Sequence, residues 1–292
     1  MLSVKNVLIT GATGNIGIEV IRYLYSSQTQ CIITAGVRNI ESAKKILGHY
    51  EKLQFVYFDF ENPDTFTAAL KNMDCIYIVR PPQISDTDKY FKPFIQIIKQ
   101  YCIPETIFLS VQGAEKSKVI PHHKIEKLIM ENQLNYVFLR PGYFMQNLTT
   151  TLLSDIKQKR QIILPAGKAK FNWIDVENIG EVSAIVINKF QEFKNNAFEV
   201  TGNEIENFYT VETLMNKVLS NRVTYAATNP FKFYALKKKE GMNKSMILVM
   251  IMLHFLPRFQ KLPRISNFYT SITNKKPTGL LNFIEREKDK FN

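Results

Sequence analysis

At 292 residues, 45% hydrophobic and 22% charged, the chain has an ordinary globular composition with ample material for a core, which suits one large α/β domain or one such domain with a smaller lobe. Three cysteines, Cys31, Cys75 and Cys102, show no metal-ligand spacing, so no metal site is expected; their odd number excludes full intramolecular pairing, and the two that sit inside apolar runs are expected as buried thiols in a reducing compartment. The net charge of +12 is uneven, +3 over residues 1–150 and +9 over 151–292.

In chain order, the first half alternates apolar runs with helical patterns. Strands are expected at Val7–Thr10, Cys31–Val37, Leu53–Phe58, Asp74–Val79, Thr106–Val111 and Val137–Leu139. Helical periodicity marks Gly17–Leu24, Tyr90–Tyr101 and His122–Asn132, and Asn62-Pro63-Asp64 reads as a cap followed by proline at the first helical position. Continuous apolar strands alternating with helices predict a parallel sheet covered on both faces. After Arg140 the pattern changes: helices are expected at Tyr143–Lys157, Asp175–Lys189 and Thr210–Leu219, strands at Ala197–Thr201 and Val223–Ala227, and mainly helix from Asn229. The division expected is a dinucleotide-binding domain over 1–150 and a smaller, mostly helical lobe over 151–292, with some elements returning to the first sheet. No apolar leader precedes the first strand, so no signal peptide is read and a cytoplasmic location is expected.

The stretch Gly11-Ala-Thr13-Gly14-Asn15-Ile16-Gly17 follows a strand and opens a helix, the arrangement that a phosphate site needs. Gly11 permits the tight turn, Gly14 the close approach of backbone to a pyrophosphate, and Gly17 the packing of helix on strand. No Gly-Lys-Ser/Thr follows, which disfavours a Walker loop. Where dinucleotide folds carry an acid for the ribose 2′-hydroxyl, this chain has Val37-Arg38-Asn39. An arginine there suits a 2′-phosphate, with Lys44 or Lys45 assisting, and so NADP(H) is preferred over NAD(H). The plain alternative for Arg38 is a solvated loop cation.

GATGNIG, the strand-end Arg38, HHKIEKLIMENQLNYVFLRPGYFMQN and FNWIDVENIGEV, in this order and spacing, resemble the NmrA-like family, atypical members of the short-chain dehydrogenase/reductase superfamily. NKKPTGLLNFIE near Asn274 resembles the family's C-terminal segment. The resemblance implies a doubly wound parallel Rossmann sheet with a smaller C-terminal substrate lobe. It also implies one of two functions: an NADPH-dependent oxidoreductase of a quinone or similar electron-poor molecule, or a non-catalytic NADP(H) sensor acting through a protein partner. By resemblance Gly11, Thr13, Gly14, Asn15, Ile16 and Gly17 surround the pyrophosphate, Arg38 binds the 2′-phosphate, Asp59 and Phe60 lie near adenine, and Arg80 and Pro81 flank the nicotinamide ribose. Asp59 is alternatively a loop cap.

The Tyr-x-x-x-Lys pair of most short-chain reductases occurs only at Tyr234 and Lys238, far from the expected position. Glu126 matches the glutamate that follows the pair in the superfamily, but the positions four and eight residues before it are His122 and Lys118. His122 is therefore a candidate to hold the ribose or a substrate oxygen, as a neutral or charged imidazole, or simply begins a helix after Pro121. Tyr143, after Arg140-Pro141-Gly142, is a candidate proton donor or stacking ring, with Asn147 on the same helix face, or a packing residue. Ser110 is either a polar active-site residue or a strand-end cap. A quinone accepts hydride readily and takes its proton from solvent, so positioning supplies much of the rate.

The basic excess concentrates between Phe231 and Lys276, where ten basic residues face one acid, Glu240. Within it, MILVMIMLHFL (Met246–Leu256) is apolar except for His254 and too short to span a bilayer, which needs about 20 residues. It reads as a buried helix, a homodimer contact, or a surface for protein or peripheral membrane contact. With no helix-turn-helix signature and no aromatic-basic platform, nucleic acid is not expected as a partner.

Overall fold

The computed structural model describes residues 4–27 and 31–292; the reading of residues 1–3 at the N-terminus lies outside them. The strand β1 (Lys5–Thr10) buries its last four residues, as a strand covered on both faces does. The helix α1 (Asn15–Ser26) follows, burying Ile16, Gly17, Val20, Ile21 and Leu24 at helical spacing. Next come β2 (Cys31–Val37), α2 (Ile40–Leu47), β3 (Gln54–Tyr57), α3 (Asp64–Leu70), β4 (Cys75–Val79), α4 (Thr87–Gln100), β5 (Glu105–Leu109), α5 (Pro121–Glu131) and β6 (Tyr136–Pro141). The chain continues through β7 (Tyr143–Phe144), α6 (Leu153–Lys159), β8 (Gln161–Leu164), β9 (Phe171–Ile174), α7 (Val176–Asn188), α8 (Phe190–Phe193) and β10 (Asn196–Val200). It ends with β11 (Glu204–Glu206), α9 (Phe208–Val218), β12 (Thr224–Ala227), α10 (Pro230–Lys239), α11 (Lys244–Phe255), α12 (Phe268–Thr273) and α13 (Leu280–Phe291).

The chain forms two compact units, one of the residues up to Pro141 with Val176–Val200, the other of Gly142–Asp175 with Thr201–Asn292. In the first, seven strands form a parallel sheet in the order β10-β6-β5-β4-β1-β2-β3. This is the doubly wound Rossmann order, which reverses direction between β1 and β4 and gathers ligands outside the carboxyl ends of those strands. Below one face, Phe58, Phe60, Phe66, Phe91 and Phe94 make a dense aromatic core. In the second unit, β11, β9 and β7 form one small sheet and β12 and β8 another, packed around Trp173, Phe208, Phe233, Phe283 and Phe291.

Three expectations change. The helix expected over Tyr143–Lys157 is instead the short strand β7, a turn of 3-10 helix at Met145–Asn147 and a helix beginning only at Leu153. Its first residues pair with β9, Tyr143 beside Trp173, a partner that local periodicity does not reveal. The helix α3 begins one residue later than expected, with Pro63 at the cap position and Asn62 Oδ1 accepting from the Asp64 N–H at 3.3 Å. The apolar run lies in α11 with Ile247, Met250 and His254 buried but Leu248, Met252 and Leu253 exposed. Of the cysteines, Cys75 is buried, Cys31 half-buried and Cys102 exposed.

Candidate functional site

The glycine loop turns directly out of β1. Gly11 adopts φ +61°, a left-handed conformation that side chains disfavour, and its carbonyl accepts from the Gly14 N–H at 2.9 Å. A Cβ at Gly17 would stand 2.4 Å from Gly11 O and 2.6 Å from Ala12 Cα, so only glycine lets α1 lie this close to the loop. Gly14 caps α1 without any side chain accepting from the first turn, and that turn holds no acid. The first-turn N–H groups are left for an anion. Gly11, Gly14 and Asn15 are exposed, Thr13 is half-buried, and Ile16 anchors the loop in the core. An exposed concavity of backbone donors that a Cβ would fill fits a pyrophosphate.

Residues Thr10 and Gly36 are register partners in β1 and β2, so the loop and Arg38 leave neighbouring strand ends. Arg38 is exposed and, among the described residues, makes no ion pair. Asn39 caps α2, its Oδ1 accepting from the Ser42 N–H at 2.8 Å. Lys44 pairs with Glu41 at 3.2 Å. After β3, Asp59 Oδ1 accepts from the Glu61 N–H at 3.0 Å, a turn cap. Phe60 lies inside the aromatic core, its ring 4.7 Å from Phe91 and 4.8 Å from Phe58, so only its backbone remains to meet a ligand.

At the end of β4, Arg80 is tied down. Its Nη1 donates to the carbonyls of Pro81 at 3.0 Å, Pro82 at 3.2 Å and Ile84 at 2.5 Å, and its Nε donates to His122 Nε2 at 3.3 Å. Burial lowers the guanidinium to about 10. Burial, then the Arg80 charge, holds His122 down to about 3, so the charged imidazole is excluded at neutral pH. Because Nε2 accepts, the proton sits on Nδ1. The ring stacks on Phe108 at 6.0 Å. Ser110, just past β5, is buried with its Oγ lacking a hydrogen-bond partner among the described residues. A buried orphan hydroxyl at the ligand-gathering edge of a Rossmann sheet is an open polar position for a bound molecule. Glu126 belongs to a different structure, accepting two bonds from Arg140 at 2.9 and 2.6 Å.

In the second unit, Tyr143 is nearly enclosed, against Phe171 at 4.9 Å, Trp173 at 4.8 Å and Phe208 at 6.0 Å. Its hydroxyl lies 2.8 Å from His254 Nε2, and His254 Nδ1 lies 2.6 Å from the Met250 carbonyl. A carbonyl only accepts, so Nδ1 carries the proton and the Tyr143 O–H donates to Nε2. Burial raises the phenol well above its ordinary value, with Asn147 opposing, although Asn147 sits in a 3-10 turn and not on the helix expected. The sequence left Tyr143 as a proton donor, a stacking ring or a packing residue; its proton is committed to His254 and its faces to the core, as in the packing alternative. His254 was legible only as the polar break in an apolar run.

This buried pair has a pH signature. His254 is held down to about 4 by burial, against 6.5 when exposed. Between those values the unfolded chain takes up a proton that the folded one refuses. The stability that neutral His254 supports is therefore complete above about pH 6.5 and falls as pH drops toward 4, by about 3 kcal/mol in all. Urea denaturation across this range is expected to show that loss, with His122 adding in the same direction. Tyr143→Phe with His254→Leu removes its share; His254→Leu alone costs about 1–3 kcal/mol for the unpaired buried phenol.

Among the described residues no group of three or more His, Cys, Asp or Glu is placed to hold a metal ion. Comparison with known proteins adds four findings. The NmrA-like family matches residues 3–260. The chain is 26% identical over 95% of its length, and 91% of the relative's, to "Prestalk A differentiation protein A" of Dictyostelium discoideum. It is 27% identical, over 76% of both chains, to the NAD(P)H azoreductase of Xenophilus azovorans. Among solved structures, an NADPH-dependent quinone oxidoreductase of Escherichia coli complexed with NADPH superposes with a TM-score of 0.84 at 18% identity, covering 96% of this chain and 99% of that one.

Proposed function

The chain belongs to the NmrA-like family, and from that premise we propose that it binds NADP(H) at the glycine loop and reduces a quinone or similar electron-poor small molecule. The observation that carries the reading is the unpaired Arg38 one strand away from an uncapped glycine cradle. The first-turn N–H groups at Asn15 and Ile16 receive the pyrophosphate, and Arg38 receives the 2′-phosphate as a charge-assisted fork. Arg80, held by three carbonyls and His122, is a rigid wall beside the nicotinamide ribose, followed by Pro81, and Ser110 Oγ offers the unfilled hydrogen bond. Bound NADPH supplies a hydride. Neither His122, neutral with Nε2 occupied, nor Tyr143, whose proton is committed to His254, is a free acid. An acceptor protonated by solvent suits such a site; a carbonyl that needs a protein acid does not. The same lack of a free acid favours a second reading, an NADP(H)-binding regulator without turnover.

The test is NADPH consumption against a panel of small quinones, with NADH and Arg38→Ala alongside. Arg38→Ala is expected to weaken NADPH binding by about 10–100-fold, the worth of charge-assisted hydrogen bonds, and to leave NADH binding unchanged. Turnover that prefers NADPH supports the reductase. Tight NADPH binding with no turnover on any acceptor moves the reading to the regulator.

A further inference from the structure

The second unit carries a surface that the proposed chemistry does not use. The helix α11 is apolar around its whole circumference, KSMILVMIMLHF, yet only one side of it is covered. Ile247, Met250 and His254 face inward, while Leu248, Met252 and Leu256 form an exposed stripe at i, i+4 and i+8. The chain then runs on as Arg258-Phe259-Gln260-Lys261-Leu262-Pro263-Arg264-Ile265, in which a cation and an apolar residue recur together every third position. The apolar members stand far into solvent, Phe259 at 74%, Leu262 at 65% and Ile265 at 50% exposure. The three cations are exposed as well, and Arg258 lies over the rings of Phe255 and Phe259 at 5.2 and 5.9 Å. No acidic side chain lies in the chain between Glu240 and Glu285.

We propose that the Leu248–Ile265 surface docks on an anionic lipid bilayer. A helix apolar all round belongs in a core or in lipid. At 12 residues α11 is too short to span a bilayer, and no helix among the described residues is long and apolar enough to cross a membrane. An apolar stripe flanked by cations, in a segment that carries no acid of its own from 241 to 284, is the composition that lies in the headgroup plane, with the arginine and lysine stems following the apolar surface and their charges reaching phosphate. Charge complementarity selects this occupant over a second copy of the chain. A two-fold contact would set the same patch against itself, with Arg258, Lys261 and Arg264 of each copy facing like charges.

The experiment is flotation of the full chain with vesicles of phosphatidylcholine alone or mixed with phosphatidylglycerol. Binding is expected only to the mixed vesicles and is expected to weaken as salt screens the headgroups. Lys261→Gln and Arg264→Gln should each weaken it by about fivefold, the effect of removing one cation near an anionic surface. Phe259→Ser with Leu262→Ser should abolish it. These four side chains are exposed, so thermal stability and NADPH affinity should stay at wild-type levels and exclude misfolding as the cause. No flotation at any composition overturns the proposal, as does equal flotation of wild type and variants. A dimer in sedimentation velocity that Phe259→Ser with Leu262→Ser dissociates, without vesicle binding, overturns it in favour of self-association.

Discussion

Gly17→Ala is expected to cost about 100-fold in NADPH affinity and to destabilise the fold at the same time. The added methyl would sit 2.4 Å from Gly11 O, 2.6 Å from Ala12 Cα and 2.8 Å from Ala12 C, all backbone atoms of the loop. No rotamer relieves that contact, so α1 must retreat from β1 by about 1 Å, a displacement that can cost 100-fold at a positioned site. Overpacking against a rigid neighbour adds about 3 kcal/mol of instability. Gly14→Ala separates the two effects. Its Cβ would meet only Gly11 O, at 3.2 Å, so stability should hardly change while binding weakens because the methyl occupies the anion's approach. NADPH fluorescence titration and thermal denaturation of both variants check this. Wild-type affinity in Gly17→Ala would remove the loop from the cofactor site.

Arg140→Leu is expected to produce the largest stability loss, about 3–5 kcal/mol by urea denaturation, because it strands a buried carboxylate. Glu126 is almost fully buried and accepts both bonds of the guanidinium fork, while Glu115, at 3.0 Å from Arg140, is more exposed and can turn to water. Replacing both partners, Arg140→Leu with Glu126→Leu, should recover most of the loss, since no charge is then left unpaired. The pair also ties α5 to β6, and α5 carries His122, which accepts from Arg80. Arg140→Leu should therefore also weaken NADPH binding under conditions where the protein remains folded. An unchanged affinity would show that Arg80 holds its place through the three carbonyls alone.

The parts of the site that were legible in sequence are those built from neighbouring residues. The turn at Gly11, the close packing at Gly17 and the cation at Arg38 follow from a strand, a loop and a helix in succession. Phe60 shows where that legibility stops. The family resemblance implied that it lies near adenine; Phe91 and Phe94, from α4, enclose its ring, which leaves only its backbone for such a ligand. Tyr143 shows the same in the second unit. Its chemistry is set by His254, 111 residues away, and its strand by Trp173. His122 kept its place at the start of a helix, but the state of its proton depends on Arg80, 42 residues earlier.

The order of apolar runs and helical periods by itself determined that a parallel sheet would form and that a glycine turn opening a helix would stand at the end of its first strand, because backbone sterics and local burial need only nearby residues. Which hydroxyls and imidazoles keep a proton free was decided only by tertiary structure. A side chain's acidity depends on what desolvates it and what accepts from it, and in Tyr143, His254, Arg80 and His122 those neighbours are brought together by chain segments that no local pattern connects.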